Sequence, residues 1–148
     1  MRERILVLLL AVWALTATIA TLHFMSGYMS YEKSYDAIRC KIAFVNIIVE
    51  FSSNYRICVN STIATLNSSL FDLTRRFFNI KYIYREGFGI EITAINDVGE
   101  PDTLAGKARW VAYMYDETVG AWHRIFVGCD KVIIVKDATY KWVLERYD

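Results

Sequence analysis

The chain is short of residues that break a backbone, with one proline and seven glycines in 148 residues. That scarcity, without any low-complexity tract or internal repeat, argues against a disordered or collagen-like polypeptide. A dominant charge is also missing. Seventeen basic side chains nearly cancel sixteen acidic ones, leaving +1. No strong field would draw a polyanion, and nucleic acid is not expected as a partner. Histidine is scarce, since His23 and His123 are the only two and lie far apart. No cysteine pair has zinc-type spacing, so neither a metal site nor a cofactor is expected. Three cysteines, Cys40, Cys58 and Cys129, cannot form a fully paired disulfide framework. They read as small buried hydrophobes or as one bridge plus a leftover thiol, and spacing does not choose the pair.

What the chain does have is one long apolar run. Residues 5–25 carry no Asp, Glu, Lys or Arg and follow Met1-Arg2-Glu3-Arg4. Such a run enters a bilayer, and basic residues ahead of it keep the N-terminus cytoplasmic. Two readings fit. An uncleaved anchor needs about 20 apolar residues, which the continuation through Leu22, Phe24 and Met25 supplies. A cleaved signal peptide needs about 7–15 apolar residues and a small-residue cut site, which residues 5–15 and Thr18-Ile19-Ala20 supply. His23 then sits at the outer interface. The organisation is a signal anchor or signal peptide at 1–27, a polar stalk at 28–39 and an extracellular domain at 40–148. The expected location is the cell membrane, single-pass with the C-terminal domain outside, or secretion.

The remainder is about 110–120 residues, one domain in size. Its aromatic and β-branched content favours strands. Residues 42–51 form a β-branched run, Ser52-Ser53-Asn54 is a turn signal, and 55–59 resumes strand character; together they read as a hairpin. Ser69-Leu70-Phe71-Asp72 has the form of a capping box. Leu70, Leu73, Phe77 and Phe78 then recur at helical spacing, and the helix should end near Asn79. Strand patterns follow at 81–85, 90–95, 108–115, 122–127, 131–136 and 140–147. The glycines of 87–89 punctuate the series, and 96–106 reads as a loop. A hairpin, one helix and further strands give an α+β class: a β-grasp-like mixed sheet packed on one helix. Asn60-Ser61-Thr62 and Asn67-Ser68-Ser69 match the N-glycosylation acceptor pattern, and both fall between a strand and the helix.

Five ordered pieces carry a family likeness: the hairpin ending in Asn60-Ser61-Thr62; the helix start Ser69-Leu70-Phe71-Asp72-Leu73; the piece from Gly87-Phe88-Gly89 through Asn96-Asp97-Val98; Trp110-Val111-Ala112-Tyr113-Met114-Tyr115; and the tail from Val127-Gly128 through Asp137 to Trp142. In these the chain resembles the transcobalamin C-terminal-like domain of unknown function, a small β-grasp-like module of exported bacterial and archaeal proteins. Asn96-Asp97-Val98 stands where that family has asparagine–glycine–valine. Residues 136–139 lack its glycine–aspartate turn. The resemblance implies a binding module. A related domain in the vertebrate B12 carriers closes over cobalamin together with a helical barrel. This chain shows no such barrel, so cobalamin-type small-ligand binding is a minor alternative.

Catalysis is not expected. His123, Cys129 and Asp130 lie close in sequence, but a thiol–imidazole pair requires spatial contact. Gly87-Phe88-Gly89 lacks the third glycine and the following helix of a phosphate loop. Two functions remain. One is a non-catalytic extracellular binding module for a protein or small ligand, with Tyr84, Phe88 and Trp122 as candidate contact residues. The other is a subunit of a cell-surface assembly or filament, joined through a free sheet edge.

Overall fold

A computed structural model describes residues 2–99 and 108–146. The loop expected at 96–106 lies outside the described residues beyond Gly99, as does Tyr147 of the last strand. The chain divides into two compact units, Met1–Cys40 and Lys41–Asp148.

The first unit is one helix, α1 (Arg2–Arg39), with no buried residue. At about 1.5 Å per residue it is about 57 Å long, well beyond the ~30 Å hydrocarbon core of a bilayer. It is apolar and long enough to be a signal peptide or a single membrane span. The threonines that dilute its hydrophobicity are satisfied internally. Thr16 Oγ1 donates to Trp13 O, Thr18 to Ala14 O and Thr21 to Ala17 O, each at 2.8 Å. Such back-bonding removes the cost of an unpaired hydroxyl in an apolar medium. The polar stretch 28–39 continues the same helix.

The second unit comprises β1 (Ile42–Ser52), β2 (Tyr55–Thr65), α2 (Leu70–Phe77), β3 (Ile80–Arg85), β4 (Gly89–Ile95), β5 (Ala108–Asp116), β6 (Ala121–Arg124) and β7 (Ala138–Arg146). Five strands form one sheet in the order β2-β1-β7-β5-β6, and β3 pairs with β4 as a separate hairpin. The central pair, β1 and β7, is parallel; the other pairings are antiparallel. This is the α+β, β-grasp-like arrangement, with a second hairpin inserted after the helix.

Period-two alternation builds the inner face. Ala43, Val45, Ile47 and Val49 of β1 are fully buried, and Trp110, Ala112, Tyr140 and Trp142 join them from β5 and β7. Helix α2 is capped by Ser69, whose Oγ accepts the Asp72 amide at 3.1 Å. It presents Leu70, Phe71, Leu73 and Thr74 to the sheet, while Phe77, expected in that stripe, is exposed. Phe78 reaches the core from just past the helix. The hairpin adds Ile92, Ala94 and Ile95, and Tyr82 meets the Phe71 ring edge-on at 4.9 Å.

Three strand assignments change. β2 runs on to Thr65, so Asn60 lies inside an edge strand and not after it. The strand survives there through a bulge at Asn60-Ser61, with Ser61 at φ +50°. Asn46 fills the bulge: its Oδ1 accepts the Ser61 amide at 2.7 Å and its Nδ2 donates to Thr139 Oγ1 at 3.1 Å. β6 stops at Arg124 instead of 127. Residues 131–136 form no strand of the sheet and keep one bridge, Ile133 to Ser69. They belong to a strap that binds α2 and the hairpin. Leu70 N–H donates to Val132 O at 2.8 Å, and Ile134 N–H donates to Ser68 O at 2.9 Å. Asp137, where the family likeness lacks its usual turn, accepts the Phe44 amide at 2.8 Å and so starts β7 beside β1.

Candidate functional site

The early end of β6 opens the fold. β6 pairs with β5 only over Tyr113–Asp116. One more rung follows, Ile125 N–H to Ala112 O at 2.9 Å. The chain then leaves for the hairpin tip. Gly128 N–H donates to Phe88 O at 2.9 Å, and Cys129 N–H donates to Ile90 O at 3.1 Å. Between β4 and the first half of β5 lies a cleft of about 550 Å³, within the usual range for small-molecule sites.

Two latches bracket this cleft, and each relies on glycine. At one end Asp130 Oδ1 accepts the Ile90 amide at 2.6 Å. A Cβ on Gly128 would stand 2.5 Å from that oxygen, and one on Gly89, at φ +110°, would collide with it too. This accounts for Gly89 after Phe88 and for Gly128 in the strap: a carboxylate sits against bare backbone. At the other end Trp110 Nε1 donates to Val98 O at 3.0 Å. Gly99, at φ +101°, has no room for a Cβ because Trp110 Nε1 would be 2.6 Å away. The intervening turn is a two-residue hairpin loop, with Ile95 and Val98 exchanging amide bonds at 3.0 Å and Asn96 and Asp97 at φ +50° and +62°. Both central residues are left-handed, as a type I′ turn requires.

The cleft is apolar within and carries charged side chains at the rim. Ile90 and Ile92 line one wall, and Trp110, Val111 and Trp142 line the other. Phe88, Phe126 and Val127 stand at the mouth, with Phe126 76% exposed. Arg85, Arg109 and Arg124 also line it, and Glu91 is the one carboxylate among the described lining residues. Arg85 forms a close ion pair with Glu91. Arg124 pairs with Glu145 at 3.0 Å, and its guanidinium lies 5.7 Å from the Phe126 ring centroid. Glu145 also accepts the Tyr113 hydroxyl and stands opposite Arg109 in the strand register.

Of the residues singled out from sequence, Phe88 lines the cleft and the other two do not. Tyr84 is exposed on β3. Trp122 belongs to the outer sheet face, where Lys141 Nζ lies 4.6 Å over its ring and Tyr115 packs at 5.2 Å. The three arginines were not anticipated. They line one cleft only through the packing of separate elements, and no local pattern announces them. Asn60 and Asn67 are both exposed, Asn67 at φ +68°.

Cys40 and Cys58 are exposed free thiols and so depart from the buried expectation, whereas Cys129 is buried. The Cys129 thiol contacts Ile90 O at 3.4 Å, while His123 Nε2 faces Asp116 at 3.9 Å. Burial first, then the neighbouring Asp130 charge, pushes the Cys129 thiol up to about 12. Among the described residues no group of three or more His, Cys, Asp or Glu could hold a metal ion.

No family model and no curated protein matches the sequence. Solved structures do match in fold. Haptocorrin, of the transcobalamin family and solved in complex with Cbi, aligns with TM-score 0.54 at 13% identity, covering 74% of this chain and 26% of haptocorrin. A candidate metal-binding protein from Ruminococcus gnavus ATCC 29149 aligns with TM-score 0.51 at 9% identity, covering 70% of this chain and 97% of that one. The chain thus spans about a quarter of haptocorrin's length, and its fold resembles the C-terminal, transcobalamin-like region of that protein.

Proposed function

We propose that the chain is an exported, non-catalytic binding module of the transcobalamin C-terminal-like kind. In this reading α1 holds it at the cell membrane, with residues 40–148 outside, or is cleaved to release a secreted domain. The observation that carries the reading is the latched, largely apolar cleft between the hairpin and β5. Such a concavity, with a few convergent polar groups, is the default ligand site of a small domain. The protonated, buried Cys129 and its separate partners from His123 support binding over covalent chemistry. Tyr84 and Trp122 remain candidates for a protein contact outside the cleft. Asn60 and Asn67 are candidate glycan sites in a host with the enzymes.

Two measurements test this. Protease treatment of intact cells should degrade the domain while sparing α1 if it is an anchor; protection of the domain would overturn the topology. A thermal-shift screen of the full chain against small ligands should yield hits that Val127→Trp, which fills the mouth, abolishes. Hits indifferent to that change would place binding elsewhere.

Assembly through a sheet edge is the second reading, favoured by β2, an outer strand of 11 residues. The Asn60-Ser61 bulge works against it, since bulges blunt edge pairing. Negative-stain images of fibres would support assembly, and monodisperse particles the module. Cobalamin-type binding is the third; Cbi accompanies haptocorrin, of which this chain matches a fraction.

A further inference from the structure

We infer that the cleft takes a compact molecule whose buried part is uncharged hydrocarbon with one amide edge, an N–H and a C=O side by side, read by the bare backbone of β5 and β4. This rests on the binding-module reading above and adds the ligand's chemistry to it.

The amide edge follows from strand alternation. Ala112 O accepts the Ile125 N–H at 2.9 Å, so Ala112 turns its backbone groups toward β6. Trp110, two positions earlier and opposite Leu144 in the β7 register, turns the same way. β6 does not reach it, since its pairing with β5 covers only Tyr113–Asp116. Across the cleft, Ile90 gives its N–H to Asp130 and its O to the Cys129 N–H, and so faces away from β3. Ile92, two positions on and opposite Tyr82, shares that orientation. Among the described residues neither Trp110 nor Ile92 has a backbone partner on the cleft side. Yet the two residues are only 3% and 2% exposed. Buried backbone donors and acceptors are almost always paired. A ligand carrying one acceptor beside one donor answers such an edge as a neighbouring strand would.

The body follows from the walls. Ile90, Ile92, Trp110 and Trp142 line the cleft and carry no ionisable group. The indole and thiol groups of the walls are already committed. Trp110 Nε1 donates to Val98 O at 3.0 Å, Trp142 Nε1 to Thr74 Oγ1 at 3.1 Å and Cys129 Sγ to Ile90 O at 3.4 Å. A charge set against them would lose its water and gain no partner. The two latches close the ends of the cleft, which suits a compact molecule and not a long extended chain.

The test titrates the full chain, held in zwitterionic nanodiscs with empty discs as blank, with 2-quinolone, an aromatic lactam, and with N-methyl-2-quinolone, which keeps the ring and carbonyl but lacks the N–H. The expected result is 2-quinolone binding about tenfold more tightly, the order of one hydrogen bond otherwise left unmade. Amide hydrogen exchange resolved to single residues should slow at Trp110 or Ile92 with 2-quinolone and not with the methylated ring. Val127→Trp should abolish the binding of both. Equal affinity for the two lactams, or protection confined to other residues, overturns the amide-edge inference; where Val127→Trp still removes that binding, the binding-module reading stands. Binding of neither lactam also overturns the inference, while ligand-screen hits that Val127→Trp abolishes decide the binding-module reading separately.

Discussion

Asp130 and Ile90 are joined by a 2.6 Å hydrogen bond from the Ile90 amide to the Asp130 carboxylate, across forty positions of chain. This bond fastens the strap after β6 to the start of β4, and Gly128 and Gly89 leave the room it occupies. Asp130→Ala should lower unfolding free energy by about 2 kcal/mol, the usual range for an amide bonded to a charged acceptor. Gly128→Ala should cost a similar amount by forcing the carboxylate aside, since the added methyl also meets Ile90 N at 2.6 Å. Because both changes break one contact, the double variant should lose less than the sum. Urea unfolding of the four proteins checks it; strict additivity would mean the latch is not a unit.

The Asn96-Asp97 turn carries a residue that fits its backbone poorly. Asp97 at φ +62° holds a conformation costing a non-glycine residue about 1–2 kcal/mol. Asp97→Gly should therefore stabilise the protein by about 0.5–1 kcal/mol, allowing for glycine's greater freedom when unfolded. Its exposed 3.8 Å pair with Lys81 is a minor loss. A lower melting temperature for the glycine variant would contradict the turn assignment.

Thr74 is a buried polar residue with a defined task. Its hydroxyl donates to Leu70 O at 2.7 Å and accepts Trp142 Nε1 at 3.1 Å. Thr74→Val keeps the shape and strands the indole N–H away from water. The expected cost is about 1–3 kcal/mol, with a shift in Trp142 fluorescence. An unchanged denaturation midpoint would show the bond to be dispensable.

Cys129 makes stability fall on the alkaline side. Its thiol is raised from 9.0 to about 12 by burial, so above pH 9 the unfolded chain sheds a proton that the folded chain retains. The stabilisation is complete below about pH 9 and is lost as pH climbs toward 12, at up to about 1.4 kcal/mol per pH unit. Burial raises Tyr140 in the same direction, but its window opens only above about pH 10. Between pH 8.5 and 10, Cys129→Ala should flatten the decline seen in the parent. In the unsubstituted protein iodoacetamide should label Cys40 and Cys58 in the native state and Cys129 only after denaturation.

Much was legible in residue order alone, because it depends on neighbours along the chain. The apolar run of 5–25, the alternation of β1, the Ser69 cap and the α+β sequence of elements are local patterns, and local sterics and hydrophobic period dictate them. Phe77 shows the limit of even that: helical spacing put it in the stripe, but a helix of two turns aims only part of its arc at a sheet, and within that arc lies Thr74, buried and bonded to Trp142. The bulge that carries β2 past Asn60 was hidden for a similar reason, since the Asn46 side chain that fills it arrives from another strand.

Everything that makes a site came from tertiary structure. Arg85, Arg109 and Arg124 share a rim because β6 ends early, a strap crosses to the hairpin, and two glycine-dependent latches hold the gap. Residue types fixed what each segment would become; only the pairing of distant segments fixed which faces would meet. A binding cleft is a relation between faces, and its energy lies in contacts with no counterpart along the chain.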